Sequence, residues 1–177
     1  LDSGIDYFLT EFQNADGTTR ILTLWDQSAI PDVEHNRLPP EGYTEGVLYT
    51  RDEINEALAA GSRQAGLAIV PQQDISGHGT AVAALAAGSQ SGVAAQAQLV
   101  VVKLGNPLAE SFPRTTQLMR GISYAVNLGV ELNMPVVVNL SFGNTYGDHR
   151  GESLLERFID NASEIGRTAI IIGSGNE

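Results

Sequence analysis

The chain has 177 residues, of which 42% are apolar and 18% charged, a composition that indicates a globular domain rather than a disordered segment. Its formal net charge of −11, from 21 acidic and 10 basic side chains, argues against nucleic acid or an anionic membrane surface as a partner. The absence of cysteine excludes disulfides, thiolate metal sites and a cysteine nucleophile, and no apolar run reaches the roughly 20 residues that a membrane-spanning helix needs.

Four apolar runs predict β-strands. The last three are rich in β-branched residues and nearly continuous, which is typical of strands covered on both faces of a sheet. The predicted strands are residues 20–25, 97–104, 135–140 and 167–172.

Helical patterns lie between these strands. Residues 80–87 form an Ala-rich run with apolar side chains on every side, as in a buried helix, and residues 114–130 and 152–165 carry apolar side chains at helical spacing. Because strands and helices alternate, we predict an α/β fold with a mainly parallel sheet and helices on both faces.

The stretch from residue 26 to residue 74 differs in character. It holds Pro31, Pro39 and Pro40, and we interpret it as an excursion over the surface. Inside it, Thr50 followed three residues later by Glu53 predicts a capping box that opens a short helix at residues 51–60.

Both ends of the chain lack the usual features of a domain terminus. Leu1 begins inside an apparent element, because Asp2-Ser3-Gly4 is typical of a strand end entering a turn. Glu177 directly follows the turn-like Gly173-Ser174-Gly175-Asn176 run. We therefore expect residues 1–177 to be part of one domain that is incomplete at both ends.

Two of the turn motifs carry residues that can perform acid–base chemistry together. Asp2 lies at a predicted strand end, where open α/β folds place their ligands. His78 lies between two glycines at the start of the Ala-rich run, so its ring stays approachable. A histidine works as a general base when a carboxylate fixes its tautomer, and Asp2 can take that role.

A third motif adds a possible oxyanion donor. Asn176 follows a predicted buried strand, and a side-chain amide on such a turn can donate a hydrogen bond to developing negative charge. Each motif alone is also an ordinary turn or cap, so it is their combination and order that point to catalysis.

Four motifs occur along the chain in the same order as the landmark sequences of the subtilase (subtilisin-like) family of serine peptidases, and they resemble those sequences. The order Asp before His differs from that of chymotrypsin-like enzymes and of α/β-hydrolases. Two further runs, Trp25-Asp26-Gln27-Ser28 and Tyr49-Thr50-Arg51, resemble more narrowly the clostridial subtilases related to the germination-associated Csp proteases. The four family motifs are Asp2-Ser3-Gly4, Gly77-His78-Gly79-Thr80, Asn139-Leu140-Ser141-Phe142-Gly143 and Gly175-Asn176.

The resemblance implies a subtilisin-like fold and, in the complete domain, hydrolysis of peptide bonds by an Asp-His-Ser triad. It implies that Asp2 orients His78, that His78 is the general base and that Asn176 stabilises the oxyanion. A peptide or protein substrate would lie extended between two edge segments, bound like an added strand. The two edges would be Ser141, Phe142 and Gly143 on one side and Lys103, Leu104 and Gly105 on the other.

The chain departs from the family pattern in two ways. The nucleophilic Ser of the family follows the oxyanion Asn in a Gly-Thr-Ser motif that these residues do not contain, so we expect this chain alone to be inactive and the remainder of the same catalytic domain to be a candidate partner. Residues 88–92 hold no carboxylate, so we expect no calcium site there and no cofactor, although Asp16 in a turn is a weaker calcium candidate. The resemblance also suggests a bacterial protein that is secreted or associated with the spore or cell envelope.

Two functional hypotheses stay open. The first is a serine endopeptidase, and the second is a pseudoprotease that keeps the subtilase fold as a binding or regulatory module. The residue after the downstream Gly-Thr would decide between them. A nucleotide-binding domain would need a Gly-x-Gly-x-x-Gly or Walker loop after a strand, and neither occurs in the sequence.

Overall fold

The computed structural model describes residues 1–105, 114–141 and 150–173. The chain falls into two compact units, Asp2–Asn106 (the first unit) and Leu1 with Pro107–Glu177 (the second unit). After a 3₁₀ turn at Thr10–Phe12, the described elements are β1 (Ile21–Asp26), β2 (Val47–Thr50), α1 (Arg51–Ala59), α2 (Arg63–Ile69), α3 (His78–Ala87), β3 (Leu99–Lys103), α4 (Thr115–Glu131), β4 (Val136–Leu140), α5 (Leu154–Ser163) and β5 (Thr168–Ile172).

The first unit is built on a three-stranded sheet of order β2-β1-β3. Strand β1 pairs in parallel with β3 and antiparallel with β2. The parallel pair brings the carboxyl ends of β1 and β3 to one edge, where Asp26 lies opposite Lys103. This edge is the one at which parallel sheets place their functional sites.

Large aromatic side chains fill the core of the first unit. Tyr7, Phe12, Trp25 and Tyr49 are each at most 2% exposed. Burial raises the pKa of Tyr7 and of Tyr49 to about 12, and the Tyr7 hydroxyl donates a hydrogen bond to Val70 O at 2.9 Å. The segment before β1 is thereby packed against the sheet rather than left on the surface.

The structure corrects the prediction that residues 26–74 form a surface excursion. From residue 47 onwards the segment adds strand β2 and helices α1 and α2 to the first unit, and Val47 and Ile54 are buried in its core. The predicted capping box at Thr50 and Glu53 is confirmed. Strand β2 has four residues and α2 seven, which is too short for a hydrophobic period to show in the sequence.

The Ala-rich helix is present as α3, but it is not buried all round. Gly79 and Ala87 are buried, whereas Leu85 is 70% exposed. The expectation of a fully buried helix is therefore wrong for the residues that the structure describes. The apolar composition of a helix shows that all of its faces can be buried. It does not show which segments of the chain bury them.

The second unit pairs β4 and β5 in parallel, with α4 packed on β4 and α5 on β5. A Cβ at Gly129 of α4 would lie 2.0 Å from Val136 Cγ2, so only glycine lets the helix approach the strand this closely. Val138 is buried, whereas Val137 and Ile171 are 72% and 55% exposed. Within the described part of the chain, these exposed side chains lie on one face of the β4–β5 pair.

The predicted class is nevertheless confirmed. All four predicted strands are present, each shifted by at most two residues at either end, and the helices of residues 114–130 and 152–165 correspond to α4 and α5. Among the described residues, both strand pairs that join predicted strands are parallel, and the antiparallel strand is the unpredicted β2. The fold is therefore α/β with parallel sheets, as the alternation of elements indicated.

Candidate active site

Asp2 is held at the carboxyl end of β3 by the main chain. Its N–H donates to Val102 O at 3.1 Å, and its carbonyl accepts from Leu104 N at 2.9 Å. These two bonds make an isolated parallel bridge beside the sheet, and they leave the side chain largely buried. Asp2 thus lies at the sheet edge where the sequence placed it.

His78 contacts Asp2 from the first position of α3. Its Nδ1 lies 2.7 Å from Asp2 Oδ1, across 76 residues of sequence. The carboxylate is 10% exposed and the imidazole 51% exposed. With the Nδ1–H donated to the carboxylate, Nε2 carries the lone pair and can accept a proton from another group. This is the geometry of an oriented general base.

Two glycines allow the Asp2 segment and α3 to meet. A Cβ at Gly79 would lie 2.3 Å from Gly4 O and 3.1 Å from Asp2 Oδ1. Gly4 itself has a φ of +133°, and a Cβ there would lie 2.4 Å from Gln72 Nε2. A side chain at position 79 would push the Asp2 segment away from α3, and one at position 4 would collide with residues 72–74 before that helix. Packing therefore favours glycine at both positions, in addition to the turn geometry at Gly4.

Asp74 anchors the turn that carries His78, a role that the motif search missed. Its Oδ2 accepts from Thr80 N at 2.8 Å and from Thr80 Oγ1 at 2.6 Å, which caps the start of α3. Its Oδ1 accepts from Gly77 N at 3.0 Å and from Ser3 Oγ at 2.8 Å. An Asp four residues before a helix-starting His is a capping signal that sequence inspection could have found.

These hydrogen bonds also set the ionisation of Asp74. Burial by itself would raise the pKa of this carboxyl, but the hydrogen bonds from Thr80, Ser3 and Gly77 together outweigh it and hold the pKa below its ordinary value of 3.8. Asp74 is therefore ionised throughout the neutral range.

Acidification should remove the stability that Asp74 contributes. A carboxyl whose pKa is lower in the folded state stabilises that state above the unfolded pKa, and the contribution is lost as the pH falls through the folded pKa. We expect the Asp74→Asn variant to be less stable than wild type at pH 7, with the difference shrinking by pH 3. Urea unfolding at both pH values measures it, with the exposed Glu41→Gln as a control. A difference that stays constant with pH would contradict this.

The main-chain groups of the predicted Lys103 edge are partly occupied. Lys103 O accepts from Gln27 N at 2.9 Å, and Leu104 N donates to Asp2 O at 2.9 Å. Neither group is left to pair with an added strand. The predicted substrate edge of Lys103, Leu104 and Gly105 stays a prediction, and the structure describes the chain here only to residue 105.

The Lys103 side chain likewise points into the first unit. Its Nζ donates to Gln73 O at 3.0 Å and lies 3.5 Å from Asp26 Oδ2. Since the side chains of Lys103 and Asp26 are 12% and 7% exposed, this is a largely buried pair. Its contribution is to hold the ends of β1 and β3 together rather than to present a charge to substrate.

The remaining predicted site residues lie in the second unit. Ser141 directly follows β4, and its Oγ accepts from Asn139 Nδ2 at 2.8 Å. Phe142, Gly143 and Asn176 lie outside the described residues. Their predicted roles beside the substrate and at the oxyanion stay predictions.

The connection after α3 is held by Glu11. Its Oε2 accepts from Gln90 N at 3.1 Å, and its carbonyl accepts from Ser89 N at 2.9 Å. Asp16, the weaker calcium candidate, accepts from Thr18 N at 3.0 Å within its own turn. No group of three or more His, Asp or Glu side chains within residues 1–105, 114–141 and 150–173 is arranged to bind a metal ion.

In the same three ranges, no helix is both long and apolar enough to cross a membrane.

Comparison with known proteins places the chain in a family. The structure of the CspB protease of Clostridium perfringens matches with a TM-score of 0.82 and 34% identity, over 97% of this chain and 34% of that one. A structure described as an S41 psychrophilic protease matches with a TM-score of 0.57 and 22% identity, over 97% of this chain and 43% of that one, which shows likeness of fold alone. No curated protein matches the chain.

The chain thus spans about a third of the length of the CspB protein that it resembles, with 34% of that protein covered. The model of the subtilase family (Peptidase S8) matches residues 1–177, which is every residue of the chain. The chain therefore belongs to the subtilase family.

Proposed function

We propose that the complete protein is a serine endopeptidase and that this chain supplies the acid–base half of its catalytic machinery. The observation that carries the proposal is the hydrogen bond of 2.7 Å between His78 Nδ1 and the buried Asp2 carboxylate. A half-exposed imidazole contributes little to packing, yet this one is held in one tautomer by a buried carboxylate. It is suited to accept a proton at Nε2 and to return it.

The proposed reaction combines this pair with the serine and the oxyanion donor of the family pattern. His78 Nε2 takes the proton from the hydroxyl of a serine supplied by the rest of the domain, and the serine attacks the carbonyl carbon of the peptide. Asp2 stabilises the imidazolium that forms. His78 then gives the proton to the leaving amine, which leaves an acyl-enzyme that water hydrolyses by the same steps. By the family pattern, Asn176 donates to the oxyanion in both stages.

Peptides or proteins are the substrates that the family implies. The match to a protease of Clostridium perfringens supports a bacterial protein, and we propose that it acts outside the cytoplasm, as a secreted enzyme or one associated with the spore or cell envelope. Fractionation of the producing cells with an antibody against this chain would test the location. Recovery only in the cytoplasm would contradict it.

Covalent labelling tests the proposed activity. A fluorophosphonate probe reacts with a serine only when a neighbouring base activates it. We expect the complete protein to gain the mass of one probe at a serine beyond Glu177, and the 177-residue chain to gain none. The Ser163→Ala variant of the complete protein changes an exposed serine at the end of α5, so it serves as a control and should label like wild type.

The pseudoprotease is the alternative outcome. If a well-folded complete protein takes up no probe, the subtilase fold is retained for binding or regulation and the proposal is wrong. Labelling at a serine within residues 1–177 would also contradict it, because the nucleophile would then lie within this chain.

A further inference from the structure

The Ser3 hydroxyl lies between two carboxylates but carries only one hydrogen. Its Oγ is 2.8 Å from Asp74 Oδ1 and 3.1 Å from Asp2 Oδ1. It also accepts hydrogen bonds from Ser76 Oγ at 2.8 Å and from Gly79 N at 3.0 Å. The Ser76 hydroxyl also lies 3.2 Å from Asp74 Oδ1, but its contact with Ser3 is the shorter one. When Ser76 donates to Ser3, both acceptor positions of Ser3 Oγ are occupied and its single hydrogen goes to either Asp74 or Asp2.

The choice matters because Asp2 Oδ1 is also the atom that binds His78. Asp2 Oδ1 already accepts from Ser3 N at 2.7 Å and lies 2.7 Å from His78 Nδ1. No described residue donates to the buried Oδ2 of Asp2. A further donor on Oδ1 would share the charge of that oxygen and weaken its bond to the imidazole.

The distances favour Asp74 as the acceptor. The Ser3–Asp74 contact is the shorter of the two, at 2.8 Å against 3.1 Å for the Ser3–Asp2 contact. The ionised state of Asp74 makes it a strong acceptor.

We propose that Asp74 is a positioning residue that draws the Ser3 hydroxyl hydrogen to itself and so reserves Asp2 Oδ1 for His78. The inference rests on the proposed function, in which Asp2 and His78 act as a pair. Asp74 touches neither substrate nor the reacting atoms and acts through Ser3.

The first test replaces Asp74 by asparagine in the complete protein. A neutral amide accepts more weakly, so the Ser3 hydroxyl turns to Asp2 Oδ1 and competes with His78. We expect the proton resonance of the His78 Nδ1–H, far downfield in the NMR spectrum, to move upfield. We also expect kcat to fall about tenfold, from the weakened charge-assisted bond, with KM unchanged.

The matched control is Asp32→Asn. His35 Nδ1 lies 2.7 Å from Asp32 Oδ2 in a second His–Asp pair that is exposed and remote in sequence from the site. This variant should change only the signals of His35 and leave the His78 resonance and kcat at the wild-type values. If both variants moved the His78 resonance by a similar amount, the cause would be the general loss of a negative charge. That result would contradict a positioning role for Asp74.

Ser3→Ala provides a test that does not depend on folding of the Asp74 variant. If the Ser3 hydrogen is on Asp74, removing it leaves the His78 resonance in place, and adding Asp74→Asn to Ser3→Ala produces no upfield shift. A downfield shift in Ser3→Ala would mean that Ser3 donates to Asp2, and it would overturn the proposal. An equal upfield shift with and without Ser3 would overturn it as well. Because the resonance needs no turnover, these outcomes are distinct from failure of the peptidase proposal.

Discussion

We expect the His78→Ala variant of the complete protein to lose on the order of 10⁶-fold in kcat, the size of loss known from the subtilisin triad and carried over to this relative. The physical reason is that, among the described residues, no other side chain both contacts Asp2 through a nitrogen and is open to solvent. The His78 ring is half exposed, but its loss removes a donor from the buried Asp2 carboxylate, so we expect the free energy of unfolding to fall by about 1–3 kcal/mol while the protein still folds.

Hydrolysis of a chromogenic peptide ester measures kcat, and urea unfolding measures the free energy of unfolding. Asp2→Asn should keep the fold and lose about 10⁴-fold in kcat, because the amide selects the wrong imidazole tautomer. His35→Ala is the matched control, since this ring also contacts an Asp but lies on an exposed loop, and it should retain wild-type turnover. Turnover retained in His78→Ala would refute the assignment of the general base.

The Gly79→Ala variant should lose both stability and activity. Alanine is the better helix former by about 1 kcal/mol. However, its methyl group would lie 2.3 Å from the Gly4 carbonyl, a backbone atom that cannot move without shifting the Asp2 segment. Overpacking of this kind costs about 1–3 kcal/mol, so the collision outweighs the gain in helix propensity. A displacement of about 1 Å between Asp2 and His78 lowers kcat by about 100-fold.

The Gly77→Ala variant is the control that separates the effect of close approach at Gly79 from the general effect of replacing a glycine. Gly77 caps the same helix with a φ of +75° but has no atom within 4 Å of the position that a Cβ would take. We expect it to cost about 1–2 kcal/mol from the left-handed backbone alone, with the kcat of the folded protein retained. Urea unfolding and kcat should be measured for both variants. Equal losses of kcat in the two would contradict the role of close approach at Gly79.

The sequence predicted the pairing of Asp2 with His78 because each residue lies in a short motif with its own local cause. Asp2 ends an element at the sheet edge, and His78 opens a helix between two glycines, so both positions can be read without knowing the contacts. Their hydrogen bond joins residues 76 apart, and the order of the two motifs within the family pattern was enough to predict it.

The supporting network could not be predicted in the same way. Asp74 is recognisable as a capping residue, but its bond to Ser3 depends on how the Asp2 segment crosses the start of α3. The inward orientation of Lys103 has the same cause, because a lysine at a strand end is equally consistent with solvent exposure until the position of Asp26 is known. Both are contacts between elements distant in sequence.

By itself, then, the sequence determined the α/β class, the four long strands, the capping box at Thr50 and the two residues of the Asp2–His78 contact, because periodicity, caps and motifs act over a few neighbouring residues. Only the tertiary structure decided that the segment around β2 joins the core, that α3 is covered on one side and that Asp74 and Gly79 govern the approach of Asp2 to His78. Those features depend on which surfaces meet when the chain folds, and a strand of four residues or a single glycine carries no local signal of that.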